Sequence, residues 1–325
     1  MDRAPLDITE STRDVAGFPY PDWESLATGI ETTLVETEWS SAWEALARQW
    51  VDKLCCRLGE DYRPFETDNF LIVTEAPEHI IADSHRFFEK ALAEIKRLLP
   101  GVAADEGYGK HVVLMIADLT DYYTYTGYFL PDGEHPQSGG TFLRGEGYAH
   151  FVVPTTDYGF FRSPFVHELT HACLAHLPLP LWLNEALAMR MEDEMCGLPL
   201  ELDREIYEKH QALWDEDTIQ QFWCGQSWDI PGDAFELSYS LARILLRKIE
   251  VDVQPPFEVL LRFIAKADMS DAGAEACAEE LQLPLQDLVA DFLGERDWEP
   301  RPETWFPGEQ MAADTGATPN NSTFH

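Results

Sequence analysis

The chain has 325 residues, of which 45% are hydrophobic and 12% aromatic, so it is long enough to bury more than one compact unit. Its 59 acidic residues outnumber its 23 Lys and Arg residues, and the resulting net charge of −36 would repel a phosphate backbone, which argues against a nucleic-acid partner. The same charge would attract cations and basic peptides, although an acidic surface that only maintains solubility explains it as well.

The sequence offers no membrane or export signal. No stretch reaches the roughly 18 apolar residues that a spanning helix needs, and residues 1–7 lack the apolar core of a secretory signal. The cysteines form no C-x-x-C pair and are too sparse for a disulfide scaffold, which fits reduced thiols. They are Cys55, Cys56, Cys173, Cys196, Cys224 and Cys277. We therefore expect a soluble, cytoplasmic protein.

The first predicted elements follow a polar, proline-containing segment. Residues 1–36 are expected to form an N-terminal arm that wraps the body or is partly loose, followed by an N-terminal helical segment over 37–66. Within that segment, apolar residues at helical spacing predict a helix over 38–58. The apolar runs at 70–73 and 111–117 predict two buried strands.

A helix is predicted between these two strands, over 77–99, because Pro77 precedes the pattern and Pro-Gly ends it. Residues 118–147 are polar, aromatic and Gly-rich and include Gly139 and Gly140. They are followed by a third predicted strand at 148–153.

The second half of the chain is predicted to be almost entirely helical. The predicted helices span 203–214, 216–223, 234–249, 256–266, 271–281 and 284–293. Residues 297–325 are rich in proline and polar residues and are expected to be a loose tail. Strands with helices come first and helices alone follow, which indicates an α+β fold with an α/β subdomain over 67–195 and a helical C-terminal subdomain over 196–296.

Residues 167–171 read H-E-L-T-H, which is the pattern H-E-x-x-H, in a region predicted to be helical. Ser163 is expected to cap this helix and Pro164 to occupy its first position. Residues four apart share a helix face, so His167 and His171 can bind one zinc ion. Glu168 is rotated away from both, yet it can reach a water in the fourth position, accept its proton and return that proton to the leaving group.

A third metal ligand is expected from the next helix. Leu174 and Leu177 occupy the positions where a metzincin would have a glycine and a third histidine, so residue type excludes that class. After a Pro-containing turn, residues 182–188 read W-L-N-E-A-L-A. A second helix that folds back against the first would bring the carboxylate of Glu185 to the metal. The two motifs together predict one zinc site.

The motif W-L-N-E-x-x-A after H-E-x-x-H resembles the ligand helix of gluzincins, the metallopeptidase clan that includes thermolysin and the M1 aminopeptidases. The short interval between the motifs is most similar to that of the bacterial peptidase MA-like family. The likeness covers residues 66–295, and its specific part is the zinc motif. It implies a zincin-like fold, in which a small mixed sheet and the H-E-x-x-H helix precede a mostly helical subdomain. The family usually has glycine where this chain has Ala186, and the added methyl group could crowd the cleft.

The resemblance also implies groups around the metal. In that family a Gly-rich segment and an edge strand precede the zinc helix and bind extended substrate by strand addition. Gly139, Gly140 and the strand at 148–153, with His150, match them, although an ordinary sheet strand beside a flexible loop fits these residues equally. Tyr239 matches the position of a donor to the transition-state oxyanion, but a tyrosine on an amphipathic helix is also commonly a core residue.

Other side chains are weaker candidates. Asn184 is expected to support a neighbouring backbone group or ligand from outside the metal's ligand set. His210 and Arg243 are minor candidates for contacts in the cleft. His176 lies off the ligand face and is expected to be structural, and Cys173 is expected to be a packed thiol.

These expectations predict that the protein is an enzyme, a zinc metallopeptidase that hydrolyses peptide bonds of a peptide or protein substrate through a metal-activated water. Glu168 would be its general base and acid. The alternative is a zinc-binding but catalytically weak regulatory or binding module on the same fold. Ala186 and the missing export signal fit this alternative, since a cytoplasmic protease needs restraint. A hydrolase of amides other than peptides is a third possibility.

Overall fold

The computed structural model describes residues 7–129, 139–145, 147–156, 160–197 and 203–305. Their helices and strands form a mixed α+β fold, which confirms the predicted class at that level. None of the described helices combines the length and the apolar character needed to cross a membrane.

The chain divides into two compact units by its internal contacts. The first contains Met1–Cys173 and Met191–Leu198, and the second contains Leu174–Arg190 and Pro199–His325. The predicted division into consecutive segments stays a prediction.

The first unit contains a five-stranded sheet. Its strands are β3 (Arg63–Glu66), β4 (Phe70–Thr74), β5 (His111–Ile116), β6 (Thr141–Gly145) and β7 (Tyr148–Pro154). They lie in the order β3-β4-β5-β7-β6, with β4, β5 and β7 parallel and the two outer strands antiparallel to their neighbours. A hairpin of β1 (Thr12–Val15) and β2 (Phe18–Pro21) forms a separate two-stranded sheet. The three strands predicted from apolar runs are all present.

The position of β7 corrects one prediction. The strand at 148–153 was expected at the sheet edge, but β7 pairs with β5 on one side and with β6 on the other. Among the described strands, β6 is the edge strand at this end of the sheet. The expectation was wrong because β6 has no continuous apolar run and lies in the polar stretch that was not expected to form a strand.

Six helices lie in the described part of the first half of the chain. They are α1 (Trp23–Thr33), α2 (Glu36–Leu58), α3 (Glu78–Leu98), α4 (Leu119–Gly127), α5 (Arg162–Leu174) and α6 (Leu181–Cys196). The segment expected to be an arm contains the β1–β2 hairpin and α1, and its Trp23 and Ile30 side chains are fully buried. This segment is therefore part of the core of the first unit.

Side chains point alternately to the two faces of the sheet along each strand, and both faces are apolar. Leu71 and Val152 lie on the first face, in one core cluster with α1 and α2. On the second face, the ring of Phe151 packs 5.6 Å from that of Phe165, between centroids, and Phe165 also packs 4.1 Å from Phe88 of α3. These contacts fix α5 on the second face of the sheet.

The described part of the second half is helical, as predicted. Its α-helices are α7 (Arg204–Leu213), α8 (Thr218–Trp223), α9 (Asp233–Lys248), α10 (Phe257–Lys266), α11 (Ala274–Ala276) and α12 (Leu285–Leu293). Shorter 3-10 segments occur at Gln226–Asp229, Met269–Asp271 and Pro302–Thr304, and π segments at Ile249–Val253 and Cys277–Leu281. The helix predicted over 271–281 is therefore split into short pieces.

The segment expected to be a loose tail is packed over its first part. Trp298 is 1% exposed, and its carbonyl oxygen accepts a hydrogen bond from the indole of Trp223 at 2.9 Å. Residues 306–325 lie outside the described residues.

Candidate metal centre

The two histidines of the H-E-x-x-H motif lie one turn apart on α5. Phe165 and Leu169 on this helix are fully buried, whereas His167 and His171 are half-buried. Their ring centroids are 4.6 Å apart, as expected for residues separated by one helical turn. The two imidazoles therefore share one helix face.

Glu185 lies near the start of α6. The carbonyl of Pro180 accepts hydrogen bonds from the amides of Leu183 and Asn184, which closes the first turn of the helix. Trp182 anchors the same turn, because its indole is fully buried and donates to the carbonyl of Ala272 at 2.9 Å. Glu185 itself is 8% exposed.

The structure brings the three predicted ligands together. One nitrogen of His167, one nitrogen of His171 and one carboxylate oxygen of Glu185 all lie within 4.8 Å of one another. Within the part of the chain that the structure describes, no other group of three His, Cys, Asp or Glu side chains has this spacing. Ligand atoms around a tetrahedral zinc ion are about 3.3 Å apart, so small side-chain adjustments would close this group onto an ion.

The chemistry of this donor set fits a catalytic zinc ion. Such ions are typically bound by three protein ligands of the imidazole and carboxylate type, and a fourth position is left for water or substrate. Two imidazoles and one carboxylate, as found here, provide the same number and type of ligands.

A carboxylate outside this group orients one of the histidines. Glu192 Oε1 lies 2.5 Å from Nδ1 of His167, and the hydroxyl of Ser163 donates to Glu192 Oε2 at 2.5 Å. With Nδ1 engaged in this way, Nε2 is the nitrogen of His167 that would bind a metal. Histidine ligands of metals usually have this kind of carboxylate partner, so the surroundings also fit the ion.

Glu192 was not predicted from the sequence. It follows Glu185 by seven residues on α6, a spacing of two turns that places both carboxylates on the same side of the helix. That spacing was the available signal. Ser163 was expected to cap α5 and Pro164 to begin it, but the helix begins two residues before Pro164, at Arg162, and the hydroxyl of Ser163 bonds to Glu192 instead.

The predicted general base, Glu168, contacts the edge strand. It is half-buried, and its Oε2 accepts a hydrogen bond of 2.8 Å from the backbone amide of Phe142 on β6. The carboxylate next to His167 in the sequence is thus tied to the strand at the sheet edge.

Gly139 and Gly140 pack against the first turn of α5. A Cβ atom on Gly139 would lie 2.4 Å from Cγ of Pro164, and one on Gly140 would lie 3.3 Å from Cβ of the same proline. Close approach of the two segments therefore explains at least the first glycine. A substrate contact for this pair stays a prediction.

His150 lies far from solvent on the first face of the sheet, opposite α5. It is 1% exposed, and its Nε2 lies 2.8 Å from the hydroxyl of Tyr125. The rings of Trp50 and Phe129 are also in contact with it. Burial lowers the pKa of His150 to about 3, so the imidazole is neutral. The sequence placed His150 at a substrate-binding edge, whereas the structure places it in an aromatic core.

Tyr239 lies in the second turn of α9, which begins at Asp233. Its ring packs against those of Trp228 and Phe235, with centroid distances of 6.0 and 5.1 Å. The tyrosine is partly exposed, and its role as an oxyanion donor stays a prediction.

The remaining histidine candidates have simple surroundings. His210 is fully buried, with its Nδ1 accepting from the indole of Trp214 and its Nε2 3.0 Å from the hydroxyl of Ser240. Burial lowers its pKa to about 4. These contacts favour a structural role. His176 is exposed, and Cys173 is buried as expected.

In comparisons with known proteins, no family model and no curated protein matches the chain. The features that indicate a function are therefore the geometry of His167, His171 and Glu185 and the two carboxylates beside them, Glu168 and Glu192.

Proposed function

We propose that this chain is a zinc-dependent metallopeptidase of the gluzincin kind with a zincin-like fold, most similar to the peptidase MA-like family. The observation that carries the proposal is the convergence of His167, His171 and Glu185, whose ligand atoms lie within 4.8 Å of one another. When bound, the zinc ion supplies Lewis acidity, which polarises a carbonyl group and makes water a stronger acid.

Glu168 is the general base and acid in this proposal. Its carboxylate accepts a proton from the water that attacks the carbonyl carbon of the peptide bond. As the carbon–nitrogen bond breaks, the same carboxyl group passes that proton to the leaving amine. The hydrogen bond from the Phe142 amide holds one carboxylate oxygen in a fixed direction, which supports this role.

His167 is held in position by a chain of two hydrogen bonds. Ser163 donates to Glu192, and Glu192 binds Nδ1 of His167. This arrangement fixes the ring orientation and selects Nε2 as the ligand atom, so that part of the metal site is organised before an ion binds.

We place an extended substrate along β6 instead of β7, because β6 is the edge strand among the described strands. Successive residues of a strand direct their main-chain groups to opposite sides. The amide of Phe142 points to Glu168 and therefore away from β7, and the main-chain groups of Arg144 share that direction. A peptide added there would run beside the general base.

The substrate is proposed to be a peptide or protein, and the location is proposed to be the cytoplasm. All six cysteines are free thiols, which fits a reducing compartment. Tyr239 and Asn184 stay candidates for supporting the transition state and the ligand helix.

The test combines metal content with cleavage of a diverse peptide library by purified protein. We expect one zinc ion per wild-type chain, and we expect Glu168→Gln to keep the ion while cleavage falls about 10²- to 10⁴-fold, because the general base is lost. His167→Ala and Glu185→Gln should lose both. His176→Ala and Glu194→Gln are matched controls, since each changes the same residue type on an exposed position nearby and should keep both.

Full zinc content without cleavage by the wild type would favour the binding or regulatory module over the enzyme. Wild-type protein that binds no zinc, or cleavage that survives in Glu168→Gln, would contradict the proposal.

A further inference from the structure

Tyr108 and Trp39 form an aromatic corner in the first unit, in which Tyr108 is exposed and Trp39 is half-buried. Their ring centroids are 5.1 Å apart and their planes meet at 79°. Tyr108 is 43% exposed, and Val35, one turn before Trp39 at the start of α2, is 60% exposed. We call Val35, Trp39 and Tyr108 the aromatic corner. Aromatic surface of this size is more often covered in a folded chain.

The backbone around Tyr108 holds its ring beside α2. Gly109 has a φ of +84°, and a Cβ atom there would lie 3.2 Å from the amide nitrogen of Glu44 and 3.3 Å from Cβ of Trp43. The turn therefore packs directly against the helix, which a side chain at position 109 would prevent. The indole of Trp39 is fixed as well, because it donates to the carbonyl of Leu34 at 3.3 Å.

Two carboxylates lie at the corner. The hydroxyl of Tyr108 is 3.4 Å from Oε1 of Glu36. The pKa of Tyr108 is raised by partial desolvation and then by the negative charges of Glu36 and Glu31, so both acidic groups act on this ring. In the described ranges, no Lys, Arg or His side chain forms an ion pair with Glu31 or Glu36.

We propose that the aromatic corner, with Glu31 and Glu36, binds a Lys or Arg side chain of a basic peptide segment. The faces of Trp and Tyr rings attract cations, and two carboxylates that form no ion pair with another described residue add to that attraction. The net charge of −36 draws basic segments to the surface and repels acidic ones. Because Val35 is 60% and Tyr108 43% exposed, the corner suits one side chain of a longer segment better than a small molecule, which is usually bound in an enclosed pocket. This site is independent of the proposed metal centre.

The test measures binding of a fluorescent peptide of alternating Lys and Gly by anisotropy at low salt. Tyr108→Ala should weaken binding about two- to fivefold, whereas Tyr108→Phe should bind like the wild type, because the ring and not the hydroxyl carries the attraction. Tyr128→Ala is the matched control. Tyr128 is also 43% exposed, but the guanidinium of Arg13 already lies 6.0 Å from its ring centroid.

Charge is tested with a second matched pair. The double variant Glu31→Gln, Glu36→Gln should lose more affinity than Glu60→Gln, Glu75→Gln, which removes the same charge from two other exposed positions. Acetylation of the peptide lysines should abolish the effect of Tyr108→Ala, and trimethylation should preserve it, because only the latter keeps the cation.

Circular dichroism would check that each variant is folded. Wild-type affinity in Tyr108→Ala would overturn the proposal. An equal loss in Tyr128→Ala would overturn it too, since any exposed ring would then serve. An equal loss in the Glu60, Glu75 variant would also overturn it, since binding would then follow overall charge alone.

Discussion

The two nitrogens of His167 have different tasks in this account. Nδ1 is hydrogen-bonded to Glu192, and the other nitrogen is the proposed metal ligand. A carboxylate behind a histidine ligand makes the ring a better donor and limits its rotation. The contribution of Glu192 can therefore be measured as metal affinity, apart from any activity.

We expect Glu192→Ala to weaken zinc binding about 10- to 100-fold, because the ring of His167 loses its orientation. Glu192→Gln, which keeps an oxygen acceptor, should lose less. Competition with a chromophoric chelator measures both, and Glu194→Ala on the same helix is the control. Unchanged affinity in Glu192→Ala would show that the hydrogen bond does not organise the site.

The burial of His150 as a neutral group can be tested as well. Its pKa is lowered from 6.5 to about 3 by burial, so the unfolded chain binds a proton that the folded chain does not. The contribution of His150 to the free energy of unfolding should therefore be complete above pH 6.5 and should fall as the pH drops towards 3. Between pH 6.5 and 5 the loss should be about 2 kcal/mol. Denaturant unfolding of the wild type and of His150→Phe at both pH values measures this difference.

The variant should lose the part of the acid sensitivity that His150 causes, while the buried His210 keeps its own part in both proteins. Equal pH dependence in the two proteins would contradict the burial of His150 as a neutral group.

The positions of the candidate metal ligands were predictable, because they depend on local helix geometry. The spacing of His167 and His171 sets their shared face, and the Pro-containing turn before α6 indicated the direction from which Glu185 approaches. The pairing of Ser163 with Glu192 was not predictable with the same rules, because it depends on a contact between side chains 29 positions apart.

Among the secondary structure elements, β6 has the greatest consequence for function. Among the described strands it is the edge strand at this end of the sheet, and it contacts the proposed general base, Glu168, and, through the glycines before it, the first turn of α5. Apolar runs predicted β4, β5 and β7 but not β6, since a half-exposed strand with Thr, Arg and Gly has no such run. The order of strands in a sheet depends on contacts between residues far apart in the chain. For this reason the edge position was assigned to β7 instead of β6.

The contact between Gly139 and Pro164 leads to a prediction at this scale. Gly139→Ala should destabilise the fold by about 1 to 3 kcal/mol, because the new methyl group overlaps the proline ring and one segment must move. Pro164→Ala removes Cγ, the atom nearest to the new group, so the cost of Gly139→Ala should be smaller in that background. A double-mutant cycle by denaturant unfolding measures the coupling. Equal costs in both backgrounds would contradict the close packing.

For the whole molecule, the order of the sequence patterns predicted the mixed α+β class and the helical second half. The same patterns could not define the two compact units, because each unit combines segments that are distant in the chain. The N-terminal segment illustrates the limit. Its polar composition suggested an arm, yet Trp23 is fully buried in a core that includes α2 and the sheet.

The acidic charge is a property of the whole molecule. A net charge of −36 raises the local concentration of cations around the whole surface, metal ions and basic peptides included. It cannot by itself select a ligand, and in our proposals selection depends on the geometry at His167, His171 and Glu185 and at the aromatic corner.

Binding of one zinc ion by these three side chains can be tested with a crystal structure of the zinc-loaded protein, with anomalous data collected on both sides of the zinc edge. We expect one zinc peak at about 2.0 to 2.2 Å from one nitrogen of His167, one nitrogen of His171 and a carboxylate oxygen of Glu185, with a fourth position open to solvent. A peak at other residues, a carboxylate of Glu185 directed elsewhere, or a fourth protein ligand that closes the shell would contradict it.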